Sequence, residues 1–220
     1  MLFAVGFELH IQIPQRNRHK KHMMGATKLK ILQLGEKVLR QEARPLAAEE
    51  IRSPQIQELI AMMRETMRDA PGVGLAAPQI GLGLQLAVIE DRAEYQKDIA
   101  ADALADRGRK PVPFHVIINP VIALGNQPAE FFEGCLSMAG FSALVPRTLT
   151  AKVAALNEKA EPVVIEASGW YARILQHEID HLHGIVYVDR MRSRSLMTME
   201  NFSRFWKEKS LAQIHAEMNV

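Results

Sequence analysis

Gln176-His177-Glu178-Ile179-Asp180-His181-Leu182-His183-Gly184 is the stretch around which the rest of the chain can be placed. Ser168 upstream is a candidate N-cap and Gly184 stands where helices stop, so the spacing predicts a helix over 169–183. Residues four apart stand one above the other on a helix face, so His177 and His181 can hold one metal ion. Glu178 lies close enough to handle a proton on water there. Packed and hydrogen-bonded histidines are the structural alternative, and a third donor decides what kind of site this is.

Three positions compete for that role. In the metzincin pattern the third ligand is a histidine six residues after the second, but Tyr187 stands there, which excludes that subclass. In thermolysin-like peptidases a downstream glutamate completes the site, and Glu200 is the available candidate. Upstream lies the only cysteine, in Glu133-Gly134-Cys135-Leu136-Ser137, where a lone thiol beside glycine suits close approach by a metal. A small buried hydrophobe is the plainer fate of such a cysteine.

Composition bounds the rest. The 220 residues are 48% hydrophobic and 24% charged, enough for a sizeable core without staples. With 27 Lys and Arg against 25 Asp and Glu, the net charge of +2 points to no nucleic acid or anionic membrane as partner. One cysteine excludes an intramolecular disulfide, and no apolar run approaches the length of a membrane span. Residues 1–27 carry a basic, histidine-containing run before Met23 and Met24, and read as an N-terminal extension or an early start site outside the fold. That leaves 28–220 as a single catalytic domain ending in a C-terminal helix.

Further helical spacing at Ile56, Leu59, Ile60, Met63 and Met67 predicts a helix from Ser53 to about Asp69. A glycine-rich loop follows, and then short strands: Leu84 to Ile89, Phe114 to Ile118, Ala129 to Phe132, Leu149 to Leu156 and Pro162 to Ala167. The polar stretch between Asp91 and Pro113 reads as an insertion or mobile excursion. A last amphipathic helix is expected from Ser195, carrying Leu196, Met199, Phe202 and Trp206. Helices and antiparallel strands mix without a repeating βαβ order, so the fold class is α+β.

The glycine-rich stretch Gly72-Val73-Gly74-Leu75-Ala76-Ala77-Pro78-Gln79-Ile80-Gly81 matches part of a dinucleotide fingerprint, with Glu90 near the later acidic position. A helix before and a strand after, with Pro78 inside, are the wrong context. The glycines instead bring backbone close to a ligand, and Gln79 offers an amide donor to a developing oxyanion. Helix geometry adds that Trp170, Ile174, His177 and His181 share one face. Glu133, Arg147 and Asp180 are candidates to orient the ligands.

Taken together, Gly72 to Gln79, Glu133 to Ser137 and Gln176 to Gly184 closely resemble the peptide deformylases in order and spacing, over about residues 28–192. Ala139-Gly140-Phe141 and Ala167-Ser168-Gly169-Trp170 look like the subgroup that includes mitochondrial enzymes. Ala139 departs from a proline often found there. The resemblance implies a deformylase-like fold, with a central HExxH helix surrounded by short antiparallel sheets. It also implies metal-dependent removal of formyl from the N-terminal methionine of new polypeptides, releasing formate.

By the same resemblance Cys135, His177 and His181 hold one divalent ion, Fe(II) by family habit, with Zn, Ni or Co as substitutes. Glu178 would move the proton, and Gln79 with the Leu136 backbone N–H would stabilise the oxyanion. Val73, Gly74, Ile174 and Trp170 would line the methionine pocket. The partners implied are formyl-methionyl nascent peptides and the ribosome near its exit tunnel, through the C-terminal helix, with the enzyme a monomer or homodimer. A bacterial cytoplasm is the expected compartment, because residues 1–27 hold only four Lys and Arg before Met23; an organelle is the alternative. Two other readings stay open at this point, a zinc endopeptidase using Glu200 and a metal-stabilised binding module.

Overall fold

The computed structural model describes residues 28–219, so the expected extension over 1–27 lies outside the described residues. The order of the main elements is α1 (Ala48–Arg52), α2 (Pro54–Asp69), β1 (Gly74–Ala76), β2 (Leu86–Asp91), α3 (Ala101–Asp106), β3 (Val112–Leu124) and β4 (Pro128–Cys135). Then come β5 (Met138–Thr148), β6 (Thr150–Leu156), β7 (Pro162–Ser168), α4 (Gly169–Leu182), β8 (Met197–Thr198), α5 (Met199–Asn201) and α6 (Leu211–Met218). Five strands form one antiparallel sheet in the order β1-β2-β3-β6-β7, and β4-β5-β8 form a second.

The first sheet is buried on both faces where it matters. Along β2, Ala87 and Ile89 join α4 residues Leu175, Ile179 and Leu182 in one cluster. Leu86 and Val88 point the other way, into a cluster with Leu59, Met63 and Met67 of α2. This is the two-residue period of a strand feeding two cores. The helix α2 forms as its sequence predicts: the Ser53 hydroxyl accepts from the Ile56 N–H, Pro54 fills the first turn, and every apolar residue named from the spacing is buried.

The end of α4 is fixed by Gly184, which adopts φ +70°. A Cβ there would stand 2.7 Å from the Arg40 carbonyl carbon, so only glycine lets the N-terminal segment pass. Ser168 sits at the N-cap position but its side chain makes no capping bond, contrary to the expectation, because it is still the last residue of β7.

Three further expectations are corrected. The long strand β5 has no counterpart among the expected strands, since glycine and proline interrupt its sequence; its pairing with β4 from Phe131↔Val145 to Pro128↔Thr148 overrides local preference. The C-terminal helix does not start at Ser195. Ser195 is buried, its hydroxyl donating to the Arg192 carbonyl and accepting from the Leu144 N–H, and the chain then makes β8 before any α-helix. The excursion between Asp91 and Pro113 is tied down at its far end: Arg109 binds Asp91 in a bidentate pair at 2.8 and 2.9 Å. Their side chains are 10% and 0% exposed. The guanidinium carbons of Arg107 and Arg109 each lie 5.4 Å from the centre of the Trp170 ring.

Asp91→Ala would leave a guanidinium buried without its partner, and breaking such a pair costs about 3–5 kcal/mol. Urea unfolding of the variant should show a loss of that size. A loss below about 0.5 kcal/mol, the range of an ordinary surface change, would mean that this pair does not anchor the excursion.

Candidate active site

Cys135 ends β4, while His177 and His181 stand one turn apart on α4, facing it. One donor atom from each lies within 4.8 Å of the others. The Cys135 Sγ is 3.3 Å from the His181 Nε2, and the two imidazole rings meet edge to face with centres 5.0 Å apart. A soft thiolate with two imidazoles is a donor set that Fe(II), Zn, Co or Ni accepts. Glu200 is exposed and stands outside this group, so the endopeptidase ligand set is not assembled.

The ligands are held by buried charge. His177 Nδ1 faces Glu133 Oε2 at 3.0 Å, which leaves Nε2 for the site. Glu133 also accepts from Arg147 at 2.6 and 3.0 Å and from Arg173 at 2.6 Å. Arg147 reaches on to Asp180 at 2.8 Å, and Arg190 clamps Asp180 with two bonds of 2.7 Å. Burial opposes charge on Glu133, yet Arg147 and His177 hold its carboxyl far below the usual range. Burial likewise opposes charge on both imidazoles. It drives His181 well below its ordinary value, whereas bonds to Cys135 and Glu133 overcome it at His177, which is raised.

Glu178 is 4% exposed, and its Oε2 has no partner among the described residues. Burial raises its pKa to about 7. Gly74 of β1 packs directly on it, since a Cβ at that position would overlap the carboxylate. Gln79 is fixed by its own backbone: its Oε1 accepts from the Ala76 N–H at 2.8 Å, so its Nε2 points to Ser137 Oγ at 3.3 Å and Cys135 Sγ at 3.5 Å. The Leu136 carbonyl accepts from the Gln33 side chain, which steadies the turn after the cysteine.

These groups open into a cleft of about 790 Å³, into which Val73, Gly74, Gln79, Leu136, Trp170, Ile174, His177 and Glu178 all project. Trp170 also packs against the core around α4 and meets Phe131 edge to face. Sequence reasoning missed Arg173, Arg190, Arg109, Phe141 and Met199. Arg173 was within reach, because it lies four residues before His177 on the same helix.

A cysteine gathered with the two histidines of an HExxH helix, beside a buried glutamate, is the donor set of a single-metal hydrolase. A family model described as polypeptide deformylase matches residues 28–196. Chloroplastic peptide deformylase 1A of Solanum lycopersicum is 47% identical over 172 residues, 78% of this chain but only 62% of that protein's length. Peptide deformylase 3 of Streptomyces avermitilis is 41% identical over 196 residues, covering 89% of this chain and 85% of that one. A class I type b peptide deformylase of Acinetobacter baumannii, solved with Met-Ala-Ser bound, superposes with a TM-score of 0.67 at 30% identity, over 75% of this chain and 99% of that one. The chain belongs to the peptide deformylase family, metal-dependent hydrolases that remove the N-formyl group from new polypeptides. Relatives include chloroplast, mitochondrial and bacterial proteins, and no described helix is long and apolar enough to cross a membrane.

Two variants probe this geometry. Gly74→Ala should keep stoichiometric metal and lose about 100-fold in turnover, since displacing a reacting group by about 1 Å costs that much; unchanged turnover would show that Glu178 need not sit where it does. Glu133→Gln should weaken metal affinity about 10- to 100-fold, read by competition with a chelator.

Proposed function

We propose that this chain hydrolyses the formyl amide at the N-terminal methionine of nascent peptides, with Cys135, His177 and His181 holding one divalent ion, Fe(II) in the native enzyme and Zn, Ni or Co as substitutes. The observation that carries the reading is the convergence of those three donors, one from β4 and two from α4, beside a buried glutamate whose Oε2 has no partner among the described residues. The ion, when bound, supplies a Lewis acid that polarises the formyl oxygen and makes water more acidic.

The chain's own groups do the rest. Glu178 takes the proton from the attacking water as its oxygen bonds to the formyl carbon. Charge then grows on the formyl oxygen, and the Gln79 Nε2–H and the Leu136 backbone N–H donate to it. As the C–N bond breaks, Glu178 returns the proton to the leaving amine nitrogen, so formate and a free N-terminus result. The carboxylate can serve both steps because Gly74 packs against it beside the cleft and no described residue bonds Oε2.

Val73, Ile174 and Trp170 form the apolar lining that receives the methionine side chain. The Acinetobacter neighbour carries Met-Ala-Ser, a tripeptide that begins as a deformylated product does. Residues 28–220 act as one catalytic domain in this reading, as monomer or homodimer, working beside the ribosomal exit where formylated chains emerge.

The test loads the protein with Fe(II) without oxygen and measures formate from a formyl-Met tripeptide. Rapid release is expected. Glu178→Ala should abolish it by at least about 100-fold, the range of positioned proton transfer, with metal retained, whereas Cys135→Ala should lose the metal. No release from wild type carrying bound metal would overturn the reading.

A further inference from the structure

A cleft of about 790 Å³ holds far more than a formyl-methionine side chain. Part of its wall comes from residues that none of the three motifs contains. Phe141 of β5 and Met199, which directly follows β8, both face the cleft and are 40% and 42% exposed. Strand register brings them together, since Phe141 pairs with Thr198 and Ser142 with Met197.

That wall is firmly supported. Thr198 caps the turn carrying Met199 by accepting from the Asn201 N–H. Phe202 then packs against Phe132 at a tilt, ring centres 4.8 Å apart, and Phe132 is itself both cleft wall and a member of the cluster around Leu144, Ile214 and Met218. Residues after 196 lie outside the stretch that the family pattern matches. Two large apolar side chains, held in place and left open to water in a concave surface, form a contact still lacking its cover.

We propose that Met199 and Phe141 form an apolar subsite for the residues that follow the formylated methionine, making the C-terminal segment of this chain a determinant of substrate preference. The occupant is the substrate peptide itself, because the surface is continuous with the cleft that contains Glu178 and His177. This rests on the deformylase reading above. Covering part of one aromatic or aliphatic side chain is worth about a five-fold preference.

The experiment compares kcat/KM, with metal-loaded enzyme, for formyl-Met-Ala-Ala peptides in which the second or third residue is changed in turn to Phe, Ser or Lys. Wild type should favour Phe over Ser and Lys about five-fold at one of these positions. Met199→Ser should bring the Phe to Ser ratio close to one, chiefly through KM, Met199→Leu should retain it, and Met199→Glu should invert the Phe to Lys ratio. Inversion is a gain that a misfolded variant cannot give. Ratios unchanged in Met199→Ser and Met199→Glu, or a wild type indifferent at both positions, would overturn the subsite while leaving the reaction intact. Formate released from none of the peptides by wild type would remove the deformylase reading, and the subsite with it.

Discussion

Everything at the site hangs on the carboxylate of Glu133, which accepts at once from Arg147, Arg173 and His177. It ties together three elements that have no sequence proximity: β4, which it shares with Cys135, β5 through Arg147, and α4 through Arg173 and His177. The strand pairing shifts between Glu133 and Cys135, and such bulges re-aim side chains. One residue therefore orients an imidazole while its neighbour two positions on supplies the thiolate. Burying this much charge earns little net stability, because desolvation offsets attraction. What it fixes is geometry: each nitrogen and oxygen has one place to be.

The sheet on the other side of α4 works by exclusion of space. β2 is buried from Leu86 to Asp91, pressed by α2 on one face and α4 on the other. β1 then runs along its edge and brings Gly74 against Glu178, at a distance no other residue allows. The glutamate is buried because the core is continuous beneath it, and its raised pKa follows from that burial. Packing and proton chemistry are the same fact viewed from two sides.

Much of this was legible in the sequence, and the pattern of misses has a physical reason. Helices α2 and α4 were readable because their periodicity, breakers and caps are local, and the donor trio was readable because each donor sits in a distinctive motif. β5 was not, since glycine and proline interrupt its sequence and only pairing with β4 overrides them. Arg109 was hidden in a polar stretch, and only the buried Asp91 gives it a destination. Leu196, Met199, Phe202 and Trp206 have helical spacing, and the last three do lie on helix, α5 running into a π-helical stretch over Phe202–Trp206; only Leu196 falls before it, because β8 claims Met197 and Thr198. Their side chains serve different partners: Met199 faces the cleft and Phe202 meets Phe132 at a tilt. A helical stripe is buried whole only where partners receive its full length.

That condition explains why α4 is the centre of the molecule. Ala172, Leu175, Ile179 and Leu182 enter the sheet core, as an amphipathic helix should. A second stripe, Arg173, Gln176, His177 and Asp180, turns to β4 and β5, where Gln176 exchanges bonds with both backbone groups of Thr148 and the charged residues find their partners. The third stripe, Trp170, Ile174, His177 and His181, faces the thiol and the cleft. A helix with no face left for water normally has to be apolar all round. Here two of the three stripes carry polar atoms, and the helix tolerates burial because nearly every one of them is bonded or waiting at the site. In the proposed reaction the motif His177-Glu178-Ile179-Asp180-His181 thus has no idle member: two donors, a proton carrier, a core contact and a clamp for Arg147.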